Sequence, residues 1–279
     1  MSATKTALDR EAKARAKEMA DVQASVIYEV IRREGERELR RPSSALFWSG
    51  VSAGLAISTS VIAKGFLVSV LPHTVWTPMV SNLGYTIGFL IVILGRMQLF
   101  TENTITPVLT LLHRPSADNF LATARLWSIV LTANLLGCLI SAALLVYVRI
   151  VPDAQMQAIQ EISRHYAAIS PLQHLAWGMP AGFLIAALVW VLPRLDDAGE
   201  VLMIIILTYV IGLGGLSHVV AGSTELFVEM LEGELPLVDA LLRGILPALA
   251  GNVLGGTGIF AALTYAQVRE EVRPPSPSA

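Results

Sequence analysis

The sequence predicts an all-helical membrane protein, on three observations. Apolar residues make up 54% of the chain and charged ones only 15%. Six stretches are each long and apolar enough to cross a bilayer, and the charge gathers at one end. Mean hydropathy is +0.60, outside the balance of a water-soluble domain. Of the 20 Lys and Arg, half precede residue 44, so a polar tail leads into one membrane domain.

A helix crossing about 30 Å of hydrocarbon needs about 20 mostly apolar residues. Stretches near 44–71, 79–112, 121–148, 171–193, 200–230 and 238–266 meet that requirement. Trp48, Trp127, Trp177 and Trp190 fall near span ends, where an indole keeps its ring in lipid and its N–H near water. Residues 1–43 lack the apolar core of a signal peptide, so the chain is expected to enter the membrane by its first span. Within them Val22, Val26, Ile27, Val30 and Ile31 recur at helical spacing and predict an amphipathic helix ending near Arg41 and Pro42. Residues 1–20 read equally as a solvated tail. Arg32, Arg33, Arg37, Arg40 and Arg41 precede the first span, whereas the connection 72–78 carries no Lys or Arg. Both termini, including the tail 269–279 with Arg269 and Arg273, are therefore expected in the cytoplasm, with the chain multi-pass in the inner membrane.

The net charge of −2 leaves no basic surface for nucleic acid. Cys138 is the single cysteine and sits in an apolar run, so no disulfide framework or cysteine metal cluster is available. No His pair has metal-ligand spacing; His73, His113 and His174 lie near span ends and read as interfacial. No metal and no cofactor are expected. Ser217 beside His218 raises the idea of a hydrolase, but chain neighbours seldom face each other as nucleophile and base, and no enzyme is expected.

Placing Asn134 on Asn252 aligns Gly137 with Gly255 and Tyr147 with Tyr265, so the third and sixth spans look duplicated. Three spans per unit is an odd number, which predicts two inverted three-helix repeats. Asn134, Gly137, Asn252 and Gly255 read as packing residues, with Asn able to bridge broken backbone. The second and fifth spans carry polar runs, Gln98 to Thr104 and Ser217 to Glu225. A continuous lipid-facing helix would leave those groups unpartnered, so both spans are predicted to be interrupted. Gly212, Gly214 and Gly215 ease the second break. Broken backbone at membrane depth is tolerated where it lines a cavity, and half-helix ends then offer N–H groups to an anion. From the residues alone this is a pore or carrier with two re-entrant elements.

With Leu99-Phe100-Thr101 and Asn103-Thr104, His218-Val219-Val220-Ala221, and Gly251-Asn252-Val253-Leu254-Gly255-Gly256, nearly all of the chain after residue 43 resembles the formate/nitrite transporter family. The resemblance implies an aquaporin-like protomer, a homopentamer in membrane lipid, and one pore per protomer for a small monovalent anion. It places Leu99, Phe100 and Thr101 in the loop breaking the second helix. It makes His218 the central pore histidine, flanked by Ser217 and Val219, with protons taking part. Departures mark a divergent branch. Gln98 and Ser217 stand where the family carries acidic residues, Glu102 where it carries Gly, and Gly222 where it carries Asn. The family's Lys at the entrance of the fourth span has no clear match, only Arg164 and His165 nearby.

Several residues keep two readings. His218 is a pore donor or a core histidine bonded to backbone. Lys64, Arg96, Glu102 and Glu225 form a structural ion-pair network, or Lys64 or Arg96 attracts the anion. Glu102 must be paired, protonated or turned away, or else the substrate is not a simple anion. Phe89 narrows the pore or faces lipid. The rival functions are a channel for a small neutral solute and a non-conducting structural or sensing protein.

Overall fold

The computed structural model describes residues 24–272. The tail expected over residues 1–20, Val22 and Arg273 lie outside the described residues. Ten helices carry the architecture: α1 (Ala24–Leu39), α2 (Ser43–Val70), α3 (Thr77–Leu94), α4 (Thr106–His113), α5 (Ala117–Val148), α6 (Asp153–Ala167), α7 (Pro171–Arg194), α8 (Asp197–Leu213), α9 (Val219–Leu231) and α10 (Leu237–Glu271). Among the described residues five are long and apolar enough to cross a membrane: α2, α3, α5, α7 and α10. The predicted second span is divided into α3 and α4 and the fifth into α8 and α9, whose 17 and 13 residues are too short to qualify singly.

Both breaks begin the same way. At the end of α3 the N–H groups of Gly95, Arg96 and Met97 donate to Ile91, Ile93 and Val92; at the end of α8 those of Gly214, Gly215 and Leu216 donate to Val210, Gly212 and Ile211. This is a Schellman closure with one left-handed residue, Arg96 at φ 51° in the first break and Gly215 at φ 59° in the second. The breaks lie at 95–105 and 214–218, so the second is shorter than its polar run. Ser223, Thr224 and Glu225 belong to helix α9, where Ser223 Oγ donates to the Val219 carbonyl and the Ser58 and Thr224 hydroxyls pair at 2.8 Å. Side-chain partners allow polar residues to remain helical there.

α9 is buried on every side from Val219 to Glu229 and forms the axis of the protein. Around it α2 packs on α3, α5 and α6, and α7 on α10. Gly137 and Gly255 allow this closeness: a Cβ at Gly137 would strike the Val51 carbonyl of α2, and one at Gly255 the Met179 carbonyl of α7. α1 lies along α4 with Ile27, Tyr28 and Ile31 buried, while Val26 and Val30, expected on the same stripe, are half exposed. Arg32 is buried on this helix between Glu29 and Glu36, and its guanidinium holds the Glu29 carboxyl down to about 2.

Two expectations about aromatic and charged residues are corrected. Trp127 is not an interface anchor, for its Nε1 donates to the Asn103 carbonyl at 2.9 Å inside the first break. Arg96 is not inside a membrane segment; it stands exposed at the turn, 3.8 Å from Glu34 of α1. A left-handed non-glycine residue is strained by roughly 1 kcal/mol, and an exposed ion pair offsets little of that. Arg96→Gly should therefore raise stability in detergent, and Gly215→Ala should lower it, each by roughly 1 kcal/mol as read by thermal unfolding.

Candidate functional site

Two asparagines hold the two breaks at the centre of the fold. Asn134 of α5 accepts the Phe100 N–H at Oδ1 and donates from Nδ2 to the Gly50 and Gln98 carbonyls, all at 2.8 Å. Asn252 of α10 accepts the Val219 N–H at 2.8 Å and donates to the Gly178 and Ser217 carbonyls at 2.9 and 2.7 Å. The partners correspond one for one, so the Asn residues are ties for non-helical backbone rather than packing residues alone. Each side chain gives one acceptor and one donor bond to loop backbone that has left the helical ladder, and its second donor bond anchors the amide to a carbonyl of the facing helix.

Where the breaks meet, His218 Nε2 and Thr101 Oγ1 are 2.8 Å apart. The Ala221 N–H donates to His218 Nδ1 at 3.2 Å, so the histidine caps α9. That bond assigns the neutral tautomer with hydrogen on Nε2, which donates to Thr101. Phe89 presses its edge on the imidazole at a centroid distance of 5.0 Å and is fully buried, so it does not face lipid. Leu99, Phe100, Thr101, Ser217 and Val219 are likewise buried, with the Phe100 ring turned edge-on to Trp127. At the start of α9 the N–H groups of Val219, Ala221 and Gly222 are bonded to Asn252, His218 Nδ1 and the His218 carbonyl. Most of the donors that a half-helix end would offer are thus engaged within the fold, and side chains add polar hydrogen at the centre beside them.

The departures from the family pattern have physical partners. Gln98 donates to Glu38 of α1 at 2.9 Å and accepts from Asn103 at 3.1 Å. Glu102 has one carboxylate oxygen buried without a partner, with Glu34, Glu38 and Arg96 as the charges near it. Asn103 and Thr104 brace the loop, the Thr104 hydroxyl donating to the Thr101 carbonyl at 2.7 Å. Ser217 Oγ meets His174 Nδ1 at 3.0 Å. His174 is therefore not interfacial; it is 1% exposed and stacked beside Tyr166. Gly222 faces the Tyr166 ring, whose hydroxyl would collide with any Cβ there. The tyrosine thus fills the room an Asn side chain would take.

Sequence reasoning missed Tyr166, His174 and Asn82. The glycine at 222 was the available signal, since a side chain lost from a packed centre is filled from elsewhere. Beyond this layer a cavity of about 1210 Å³ opens, lined among others by Lys64, Asn82, Tyr85, Tyr166, Trp177 and Glu225. Lys64 and Glu225 face this one cavity without closing a pair within 4 Å, so the four expected charges do not form one network. Among the described residues no cluster of three or more His, Cys, Asp or Glu is arranged to hold a metal ion.

Two helix breaks tied by asparagine inside a bundle of apolar helices define a membrane protein with re-entrant backbone at its core. The formate/nitrite transporter family matches residues 25–266, and the chain belongs to that family. It is 39% identical over 249 residues to the inner membrane protein YfdC of Escherichia coli strain K12, covering 89% of this chain and 80% of that one. Formate-nitrite transporter 3 of Toxoplasma gondii is 26% identical over 69% of this chain and 40% of its own length. Among solved structures, a pentameric formate channel with formate bound superposes with a TM-score of 0.70 at 19% identity, over 82% of this chain and 98% of that one. An FNT family ion channel superposes at 0.75 and 17% identity, over 86% and 98%. These two likenesses establish the fold.

Removing either tie strands two buried groups of non-helical backbone, an N–H and a C=O, each costing about 1–3 kcal/mol. Asn134→Ala and Asn252→Ala should each lower stability in detergent by at least about 2 kcal/mol, as read by thermal unfolding. Gly222→Asn should be destabilising alone and recover when combined with Tyr166→Ala, as read by thermal unfolding.

Proposed function

We propose that this protein passes a small monovalent anion of the formate or nitrite kind through a passage centred on His218. The observation that carries the reading is the His218–Thr101 hydrogen bond joining the two breaks inside a fully buried apolar layer. Family membership supports transport, and the formate held by one structural neighbour supplies the probe.

The chemistry follows from the bonding. With Nδ1 engaged as helix cap, only the Nε2 side and the Thr101 hydroxyl remain to meet a solute. An anion arriving there accepts hydrogen bonds from both. A proton taken from water on the side of entry and held on the anion at this pair makes it a neutral weak acid while the ring keeps its Nε2 proton, and the apolar layer of Leu99, Phe89 and Val219 is a far smaller barrier to that acid. Ser217, Gln98, Asn103 and Thr104 hold the loops; Lys64, Glu102, Gly222 and Glu225 shape the approaches.

In this reading the chain makes six crossings as two inverted three-helix units, with both termini in the cytoplasm. The matched hydrogen bonds of the two breaks support that symmetry. It sits in the inner membrane, as the name of its Escherichia coli relative supports. Its exposed apolar surface, including Trp48, Phe66, Phe120 and Leu202, suits lipid and the contacts of a homopentamer.

The test is uptake of formate and nitrite into proteoliposomes beside His218→Asn, which keeps a helix-capping side chain but cannot titrate. Uptake should rise as external pH falls from about 8 to about 5, and should drop at least about tenfold in the variant. Unaltered uptake by folded His218→Asn would remove His218 from the passage.

A further inference from the structure

The cavity beyond the Ser217–His174 layer carries a charge arrangement that anion passage does not require. Lys64 from α2 and Glu225 from α9 both line it, Lys64 Nζ lies 6.0 Å from the centre of the Tyr85 ring, and neither charge forms a hydrogen bond or an ion pair within 4 Å among the described residues. Glu225 is 6% exposed, a depth at which a carboxylate without a direct partner is costly to keep. Towards the mouth the other charged and titratable groups are Glu161, Arg164, His73 and His165. Lys64 and Arg164 are thus balanced by Glu225 and Glu161.

A vestibule gathers anions only when it holds a net positive potential, because walls of low dielectric focus whatever charge lines them. Here the ammonium is answered by a carboxylate lining the same cavity. We propose that Glu225 is a specificity-determining residue of this vestibule: its carboxylate cancels the field of Lys64, so the cavity does not concentrate bare anions and favours uncharged or charge-balanced solutes. The inference rests on the transport reading for its consequence, but the charge balance itself is measurable without flux. Trp177 lines the same cavity and is 37% exposed, so it reports on what enters.

The experiment compares wild type, Glu225→Gln, Lys64→Met and the double variant in detergent at low ionic strength. Quenching by iodide, an anion, is set beside quenching by neutral acrylamide, and the Trp177 share is obtained by difference against Trp177→Phe in each background. In Glu225→Gln the iodide term should rise by roughly threefold or more while the acrylamide term stays fixed. The gain should vanish in the double variant and shrink towards 1 M salt, where the screening length is about 3 Å. Formate uptake by Glu225→Gln should show a lower KM at similar maximal rate. An unchanged iodide term in Glu225→Gln, or a gain that persists without Lys64, overturns the inference. A gain in quenching with no formate uptake by any variant leaves the inference standing and removes the transport reading instead.

Discussion

Unwound backbone at membrane depth exposes N–H and C=O groups that no lipid can bond, and the whole structure depends on how those groups are satisfied. Each break is closed at its start by a Schellman turn and at its apex by one asparagine reaching in from another helix. An Asn amide offers two donors and one acceptor site in a small planar group, which matches two carbonyls and one N–H converging on a point. Gly50 and Gly178 supply one of those carbonyls in each case, from the helices facing the two asparagines. The close glycine packing of α2 on α5 and α7 on α10 is what brings the amide within reach. Ties, glycines and breaks therefore form one device.

That device engages most of the backbone donors at the start of α9. Helix ends in membranes serve anions well when their first N–H groups are free, but here Asn252 and His218 occupy two of the first three. The burden shifts to two side chains, Thr101 and His218, one from each break. The Thr101 hydroxyl accepts from Nε2–H and keeps its own hydrogen free to turn, which bonded backbone N–H groups cannot do. The histidine is also committed on its other nitrogen, so protonating the ring there would cost the helix its cap. The helix cap and the contact to the other break are thereby coupled in one residue.

Much of this was legible in the sequence for reasons of contrast. Runs such as Gln98 to Thr104 stand out because every neighbour is apolar, and Asn-Gly pairs recurring in register stand out for the same reason. The spans and the two interruptions follow from that contrast. Partnerships across the fold were not legible. Trp127 sits near a span end, where an interfacial role is the ordinary inference, yet its indole serves the loop carbonyl of Asn103. His174 is similarly placed three residues into α7, but the layer formed by α6 covers it. Periodicity does not say which amphipathic segment folds back over a span end, so the burial of both residues was hidden.

The two breaks share their hydrogen bonds but not their side chains, and the differences sort by position. Leu99 and His218 each precede the residue whose N–H is tied to Asn. Arg96 and Gly215 occupy the two left-handed positions. Gln98 turns to Glu38 of the N-terminal helix, and Ser217 turns to His174. A frame fixed by backbone bonds tolerates such exchanges because none of these side chains carries the turn itself. One break is free to bind α1 through charge, and the other to present an imidazole at the core. The symmetric bonds supply rigidity, so side chains such as Gln98, Glu102 and Ser217 are free to differ between the two breaks without dismantling the fold that holds them.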